Sequence, residues 1–286
     1  MIPVPRTPKP PILVKNASKW LAKLQEEKSN LQAAKNNLQV NEANPAATKQ
    51  EIANARKNVD KAKKNVDNAI NKYRHDEIKA SLVAMFHGKC AYCESQITHV
   101  TYGDIEHFCP KSNPLYAHQI FEWENLLLSC PICNNAAHKG TTFPLDSKGN
   151  PLLIDPTDDA IDPFLHLEFS WDEDAKLATV YGRDKQGNLV VDIFDLNGVR
   201  GREDLLKRRS KKVKKLIALR DIALDPNKDD SIKAQAITLL KEDCQPDDEY
   251  IASGGDKRPQ SLMVRGLCPL TTFVKYQAIR RRKRTR

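Results

Sequence analysis

Two Cys-x-x-Cys knuckles, Cys90/Cys93 and Cys130/Cys133, are the residues whose type and spacing most clearly point to chemistry. Each knuckle can present two thiolates to one tetrahedral ion. Four thiolates fill a structural zinc site and leave no open position. The 36 residues between the knuckles are too many for a simple zinc-ribbon turn. The clip therefore holds something else, and its polar residues are the ones to question. They include the pair Glu106-His107, then Asn125, with Asn134 directly after the second knuckle.

This region resembles the HNH endonuclease family, the ββα-metal fold. The resemblance rests on Glu106-His107, Asn125 and Asn134, the last two nine residues apart. It implies that Glu106 ligates a divalent metal and that His107 is the general base. It also implies that Asn125 braces the loop carrying the His, and that Asn134 completes the metal site from the start of a helix. The residue types suit those roles. A neutral imidazole takes a proton from water near neutral pH. A carboxylate and an amide oxygen favour Mg²⁺ or Mn²⁺ over zinc, with positions left for phosphate. Asn125 stands at the start of an apolar run, Leu126-Leu127-Leu128, which suits an amide that bonds nearby backbone.

The resemblance extends further, over roughly residues 80–220. GDIEHF-x-PKS, Tyr116, W-x-NLLLSC-x-x-CN, KG, FPLD and Leu153-Ile154-Asp155-Pro156 are similar to one subgroup of HNH proteins. That subgroup includes the nuclease subunits of Septu-type anti-phage defence and their retron-associated forms. It implies an ABC-type ATPase as partner, within a hetero-complex that can hold more than one copy of this chain. The sequence has no G-x-x-x-x-G-K-[ST] run, so an ATP-using step belongs to another chain.

Several residues have competing readings. His138 is an alternative metal ligand to Asn134, or it lines a phosphate path with Lys139. Asp104 is an alternative ligand to Glu106. Cys109 reads as a spare thiol. His99 and His118 read as surface residues, and His166 as lying near a strand. Cys244 and Cys268 read as unpaired thiols.

Composition sets the background. The formal charge is +9 and the pI is near 9.1, which points to a polyanion partner, nucleic acid first. DNA is favoured over RNA as substrate, although phosphate contacts and metal chemistry serve both. Hydrophobic residues make up 40% and aromatics 6% of the chain, with a mean hydropathy of −0.59. No stretch approaches the roughly 20 apolar residues of a membrane span, so no membrane partner is expected. The Pro-rich start has no apolar signal core, so a cytoplasmic location is expected. There thiols stay reduced, and the seven cysteines read as four ligands plus three free thiols.

The elements that must position these residues follow from periodicity. Over 17–38, Trp20, Leu24, Leu31, Ala34 and Leu38 recur at helical spacing. Asn44-Pro45 reads as a break with a helix N-cap. Beyond it Ile52, Val59, Val66 and Tyr73 repeat every seventh residue, with Ala55, Ala62 and Ala69 between. This reads as a closely packed antiparallel helical hairpin, either a brace for the core or a docking arm. Its lysines (Lys57, Lys61, Lys63, Lys64) read as a solvated face. The second helix is expected to continue through Ile78, Leu82 and Met85 to the first knuckle. Strands are expected over 96–100 and 105–108, with the metal-site helix opening at Cys133-Asn134. The acidic, Pro-rich stretch 144–163 reads as an ordered loop. Segments 166–170, 177–181 and 189–194 are expected to form a small antiparallel sheet. A basic amphipathic helix is expected from Asn197-Gly198 to about residue 224, with Leu206, Val213, Leu216 and Ile217 inward. Helices over 231–242 and 269–279 complete the chain.

The expected architecture is α+β and mostly helical. A zinc-clipped ββα-metal core (81–165) stands between an N-terminal helical hairpin (1–80) and a basic C-terminal part (166–286). A metal-dependent endonuclease is the leading expectation. A non-catalytic zinc-bound nucleic-acid or protein adaptor is its rival.

Overall fold

Proline opens the first helix. The chain lies in α1 (Pro11–Ala43), α2 (Lys49–Ile70), a 3-10 turn (Asn71–Arg74), α3 (Asp76–Met85), β1 (Asp104–His107) and two further 3-10 turns (Pro114–Gln119, Trp123–Asn125). Then follow β2 (Leu126–Ser129), α4 (Pro131–Asn134), α5 (Pro163–His166), β3 (Leu167–Asp172), β4 (Leu177–Gly182), α6 (Lys185–Ile193), α7 (Glu203–Leu224) and α8 (Asp230–Glu242). The structure is a computed structural model and describes residues 1–99, 101–245 and 248–250. The protein is α+β and mostly helical, with two two-stranded sheets among the described residues. It divides into two units. One contains residues 6–84 and 105–127. The other contains 1–5, 85–104 and the described residues from 128 onward.

The first unit is built on the hairpin. α1 starts at Pro11, earlier than the periodicity suggests, because proline at the first helical position has its φ already set and needs no N–H partner. Its 33 residues reach about 50 Å. α2 turns Ala55, Val59, Ala62, Val66 and Ala69 inward, the heptad set read from the sequence. The inter-helix cap differs from expectation. Asn44 ends α1, and Thr48 caps α2. Thr48 Oγ1 accepts from the Glu51 N–H, while the Glu51 carboxylate accepts from the Thr48 N–H at 2.7 Å. This reciprocal box satisfies two amide donors that the helix leaves open. Glu27 is buried on α1 and meets Lys23 at 2.9 Å and Asn65 of α2 at 3.3 Å, which pins the pairing of the arms.

The expected continuous helix into the first knuckle is interrupted. Residues 71–74 tighten to 3-10 geometry, and His75 is extended. The His75 ring accepts from the Glu77 N–H, so a side chain restarts the helix as α3. Ile78, Leu82 and Met85 are buried as expected. The segment before α1 is tied down within the same unit. Arg6 donates to the carbonyls of Trp123, Glu124 and Leu126, each at 2.7 Å, and the Trp123 indole donates to Thr7 O.

In the second unit β3 and β4 pair antiparallel, from Leu167 opposite Gly182 to Asp172 opposite Leu177. Trp171 and Ala178 of this hairpin pack with Val213, Leu216 and Leu240 of α7 and α8. The expected third strand is a helix, α6. Asp184 caps it by accepting from the Gly187 N–H. Gly187, Val190 and Phe194 are buried at helical spacing, so an apolar run that suits a strand serves a short buried helix. Gly187 cannot carry a side chain, since a Cβ would lie 1.9 Å from the His166 carbonyl oxygen.

α7 begins at Glu203, not at Asn197-Gly198. Asn197 instead grips Val180, accepting from its N–H and donating to its C=O, both at 2.8 Å. Arg209 and Ser210 do the same for Ala178. Side chains thus satisfy the backbone of β4, as a sheet edge requires. Leu205, not Leu206, is the buried leucine at the start of α7. Arg209 is buried as well, and Lys212 and Lys215 bind Asp243 at 3.0 and 2.6 Å. Part of the basic run is therefore internal. The acids of 144–163 act as turn acceptors: Asp146, Asp155, Asp158 and Asp162 each accept backbone N–H groups. The expected 269–279 helix, Cys268 and the basic end lie outside the described residues. No described helix is long and apolar enough to cross a membrane.

Candidate metal centre and candidate active site

The first knuckle is a tight loop. Gly88 adopts φ +70°, and a Cβ there would meet Thr98 Oγ1 at 2.7 Å. Lys89 and Gln96 bridge across the loop, and the Cys90 N–H donates to Ser95 O. The second knuckle starts α4: Cys130 is its N-cap and accepts from the Cys133 N–H at 3.4 Å. The Ala91 N–H donates to Leu128 O at 2.8 Å, holding the knuckles together.

All four cysteines are buried, and their sulfur atoms lie within 4.8 Å of one another. A tetrahedral zinc with Zn–S of about 2.3 Å sets its sulfurs about 3.8 Å apart. Cys93 and Cys130 stand at 3.9 Å, so the cluster fits such an ion. Its electrostatics point the same way. Hydrogen bonds from Cys130 and Cys133 hold the Cys93 thiol well below the ordinary thiol value. Burial pushes Cys133 well above it. Four clustered thiols cannot all ionise by themselves, whereas a dication stabilises all four thiolates. Cys109 is outside the group.

Arg202 was not singled out in the sequence. Its guanidinium donates to Cys133 Sγ at 3.5 Å and to the Phe194 carbonyl. Burial acts to lower its pKa, yet the sulfurs of Cys133, Cys93 and Cys130 raise it overall. It is a buried cation set against the cluster's negative charge.

In the same unit the Asn134 amide donates to Asp104 Oδ2 at 3.1 Å. The other reading of the last ligand, His138, has Nδ1 on Asn135 Oδ1 at 3.0 Å and its Nε2 buried. Desolvation, then the charges of Arg202 and Arg200, lower its pKa. Lys139 is fully buried, so it does not line an open phosphate path.

The strands differ from expectation. β1 pairs with β2, while Gln96 of the expected strand serves the knuckle bridge with Lys89. The order strand, strand, short helix is therefore β1, β2, α4. Glu106 and His107 sit on β1 and are buried at 5% and 3% exposure. His107 Nε2 is 3.0 Å from Ile120 O. A carbonyl only accepts, so the neutral ring carries its proton on Nε2 and keeps Nδ1 as acceptor. Asn125 holds the residues that follow. Its Oδ1 accepts from the Cys109 N–H at 2.7 Å, and its Nδ2 donates to Cys109 O and Gln119 O, both at 3.2 Å. Tyr73 was read only as a heptad residue. Its ring meets His107 edge-on at 4.6 Å, and Lys111 and Arg74 lie 5.0 and 5.6 Å from its centre.

No family model matches the chain, and no solved structure matches it. Two curated proteins are similar. Septu protein PtuB of Bacillus mycoides (strain KBAB4) is 33% identical over 165 residues, which cover 50% of this chain and 52% of that protein. Septu protein PtuB of Bacillus thuringiensis is 33% identical over 186 residues, covering 62% and 66%. The chain spans about half the length of the first relative and just under two thirds of the second. Over that shared part, it is similar to Septu PtuB.

Proposed function

We propose that the chain is a metal-dependent HNH endonuclease that hydrolyses phosphodiester bonds of DNA. In this reading it serves as the nuclease of a Septu-type anti-phage system, with an ABC-type ATPase of the PtuA kind as its partner. The observation that carries the reading is the state of His107, a histidine with its tautomer set by Ile120 O on a strand whose following loop is held by Asn125. The likeness to Septu PtuB supports the choice of system.

In this role His107 Nδ1 takes a proton from water, and the resulting hydroxide attacks phosphorus in line with the leaving oxygen. Ile120 O keeps the ring in the required tautomer, and Asn125 fixes the backbone beyond it. The donor set of Glu106 and Asn134, an acid and an amide, suits Mg²⁺ or Mn²⁺. Asn134 is preferred to His138 because its amide already engages an acid of β1, Asp104. Such an ion, when bound, supplies charge stabilisation at the phosphate and leaving group. The four-cysteine cluster holds structural zinc and takes no chemical part.

The test is direct. Purified protein, with and without the ATPase, is incubated with plasmid, tRNA and Mg²⁺ or Mn²⁺. Metal-dependent nicking of plasmid supports the reading. Cleavage confined to tRNA changes the substrate to RNA. Binding without cleavage under every condition makes the chain an adaptor.

A further inference from the structure

The outer face of α2 has an ordered charge pattern that the zinc and His107 chemistry does not use. The hairpin helices α1 and α2 together carry eleven basic and six acidic residues. On α2 the buried side is Ala55, Val59, Ala62, Val66 and Ala69. On the exposed side, in a line with steps of three and four residues, stand Gln50, Asn54, Lys57, Lys61, Lys64 and Asn68, all exposed. No acid falls on that line. Asp60 and Asp67 lie to one side of it, and Asp60 faces Lys63. Arg56 is likewise drawn away, to Glu42. Lys57, Lys61 and Lys64 have no carboxylate partner among the described residues. Along that line the helix presents only cations and amides, with Asp60 and Asp67 exposed beside it.

The face also leads somewhere. α2 ends in the turn Asn71–Arg74, which adds exposed Lys72 and carries Tyr73. Tyr73 packs on His107 and is flanked by Arg74 and Lys111. All of these residues belong to one unit.

We infer that the outer face of α2 is a track for the backbone of duplex DNA, running along the helix to exposed Lys72 in the turn at its end. The inference rests on the nuclease reading above. From Lys57 to Lys64 the helix rises about 10 Å, a length of duplex that carries about six phosphate charges. Ammonium groups and amides contact phosphate without reading sequence, so the track adds affinity and orientation rather than specificity.

The test measures binding of a labelled 30-base-pair duplex by the full chain at several salt concentrations, without added divalent ion. Each phosphate neutralised contributes about 0.9 to the slope of log K against log salt. Lys57→Gln/Lys61→Gln/Lys64→Gln is expected to flatten the slope by about 2–3, equally for unrelated duplexes, with unchanged circular dichroism and zinc content. The matching triple Arg variant keeps the wild-type slope. The control Lys148→Gln/Lys185→Gln/Lys228→Gln, all exposed, changes it less. A Gln variant with the wild-type slope overturns the track, and so does a control that loses as much. A Gln variant that keeps its slope but no longer captures the ATPase assigns the face to an acidic protein surface and also overturns it. Cleavage is read separately. Wild type that binds with the track's slope but never cuts refutes the nuclease reading and leaves the track standing.

Discussion

Asn125 grips Cys109 from both sides, accepting from its N–H at 2.7 Å and donating to its C=O at 3.2 Å. The Phe108 N–H in turn donates to the Asn125 carbonyl at 2.9 Å. One residue thus fixes the two that follow His107. Asn125→Ala removes the side-chain bonds to the Cys109 N–H and C=O and to Gln119 O but keeps the backbone bond to Phe108, at about 1–3 kcal/mol for each buried group left unsatisfied. Urea unfolding should show the loss, and cleavage should fall more than stability accounts for. Asn125→Asp keeps the acceptor but cannot donate, and should fall between wild type and Ala. Equal activity for all three proteins would remove the brace from the account.

The zinc prediction separates ligands from bystanders. Cys93→Ser should lose the metal, and Cys109→Ser should keep one ion per chain. Arg202→Gln removes the cation that faces Cys133 and should speed zinc transfer to a chromogenic chelator without lowering initial metal content. Arg202→Lys keeps the charge but not the fork geometry, so it should restore part of the retention. Identical release rates in all three Arg202 proteins would mean that the guanidinium is only packing.

How much could be read in advance depended on chain distance. Cys90/Cys93 and Cys130/Cys133 declare themselves because both ligands of a knuckle share one turn. The inward residues of α2 declare themselves by period. Arg202 did not, since it is 69 positions from Cys133 and nothing local marks it. Tyr73 looked like one more heptad residue, although its ring also meets His107. Residues 189–194 suit a strand by composition, and only the Asp184 cap and the close approach of Gly187 to His166 O make them helical. The Thr48–Glu51 box is legible as T-x-x-E, but Asn44-Pro45 is the stronger local signal of a helix break.

That box gives a local prediction. Thr48→Ala should cost about 1 kcal/mol, seen as faster amide exchange in the first turn of α2, with zinc content unchanged. Unaltered exchange would mean that the hairpin contacts alone hold that turn.

The α7–α8 ion pairs give a pH prediction. Burial acts to raise the Asp243 carboxyl, but Lys215 and Lys212 hold it below its ordinary value of 3.8. A folded-state pKa lower than the unfolded one contributes stability above the unfolded value, lost as pH falls through the folded one. The contribution is therefore complete at neutral pH and drains away below about pH 3.8. Asp243→Asn should be less stable than wild type at pH 7 and less acid-sensitive below pH 3.8. A constant difference across both ranges would contradict the assignment.

The central claim is that His107 is the base of a nuclease. The measurement is the single-turnover rate of DNA cleavage by His107→Ala beside wild type, with zinc content, circular dichroism and duplex affinity measured on the same samples. A positioned general base contributes about 10²–10⁴-fold, so the variant should lose that factor in rate while the other three quantities stay as they are. Glu106→Ala should differ by recovering partly in excess Mn²⁺, because a metal ligand and not a base has been removed. Wild-type cleavage by His107→Ala with unchanged metal content would contradict the account.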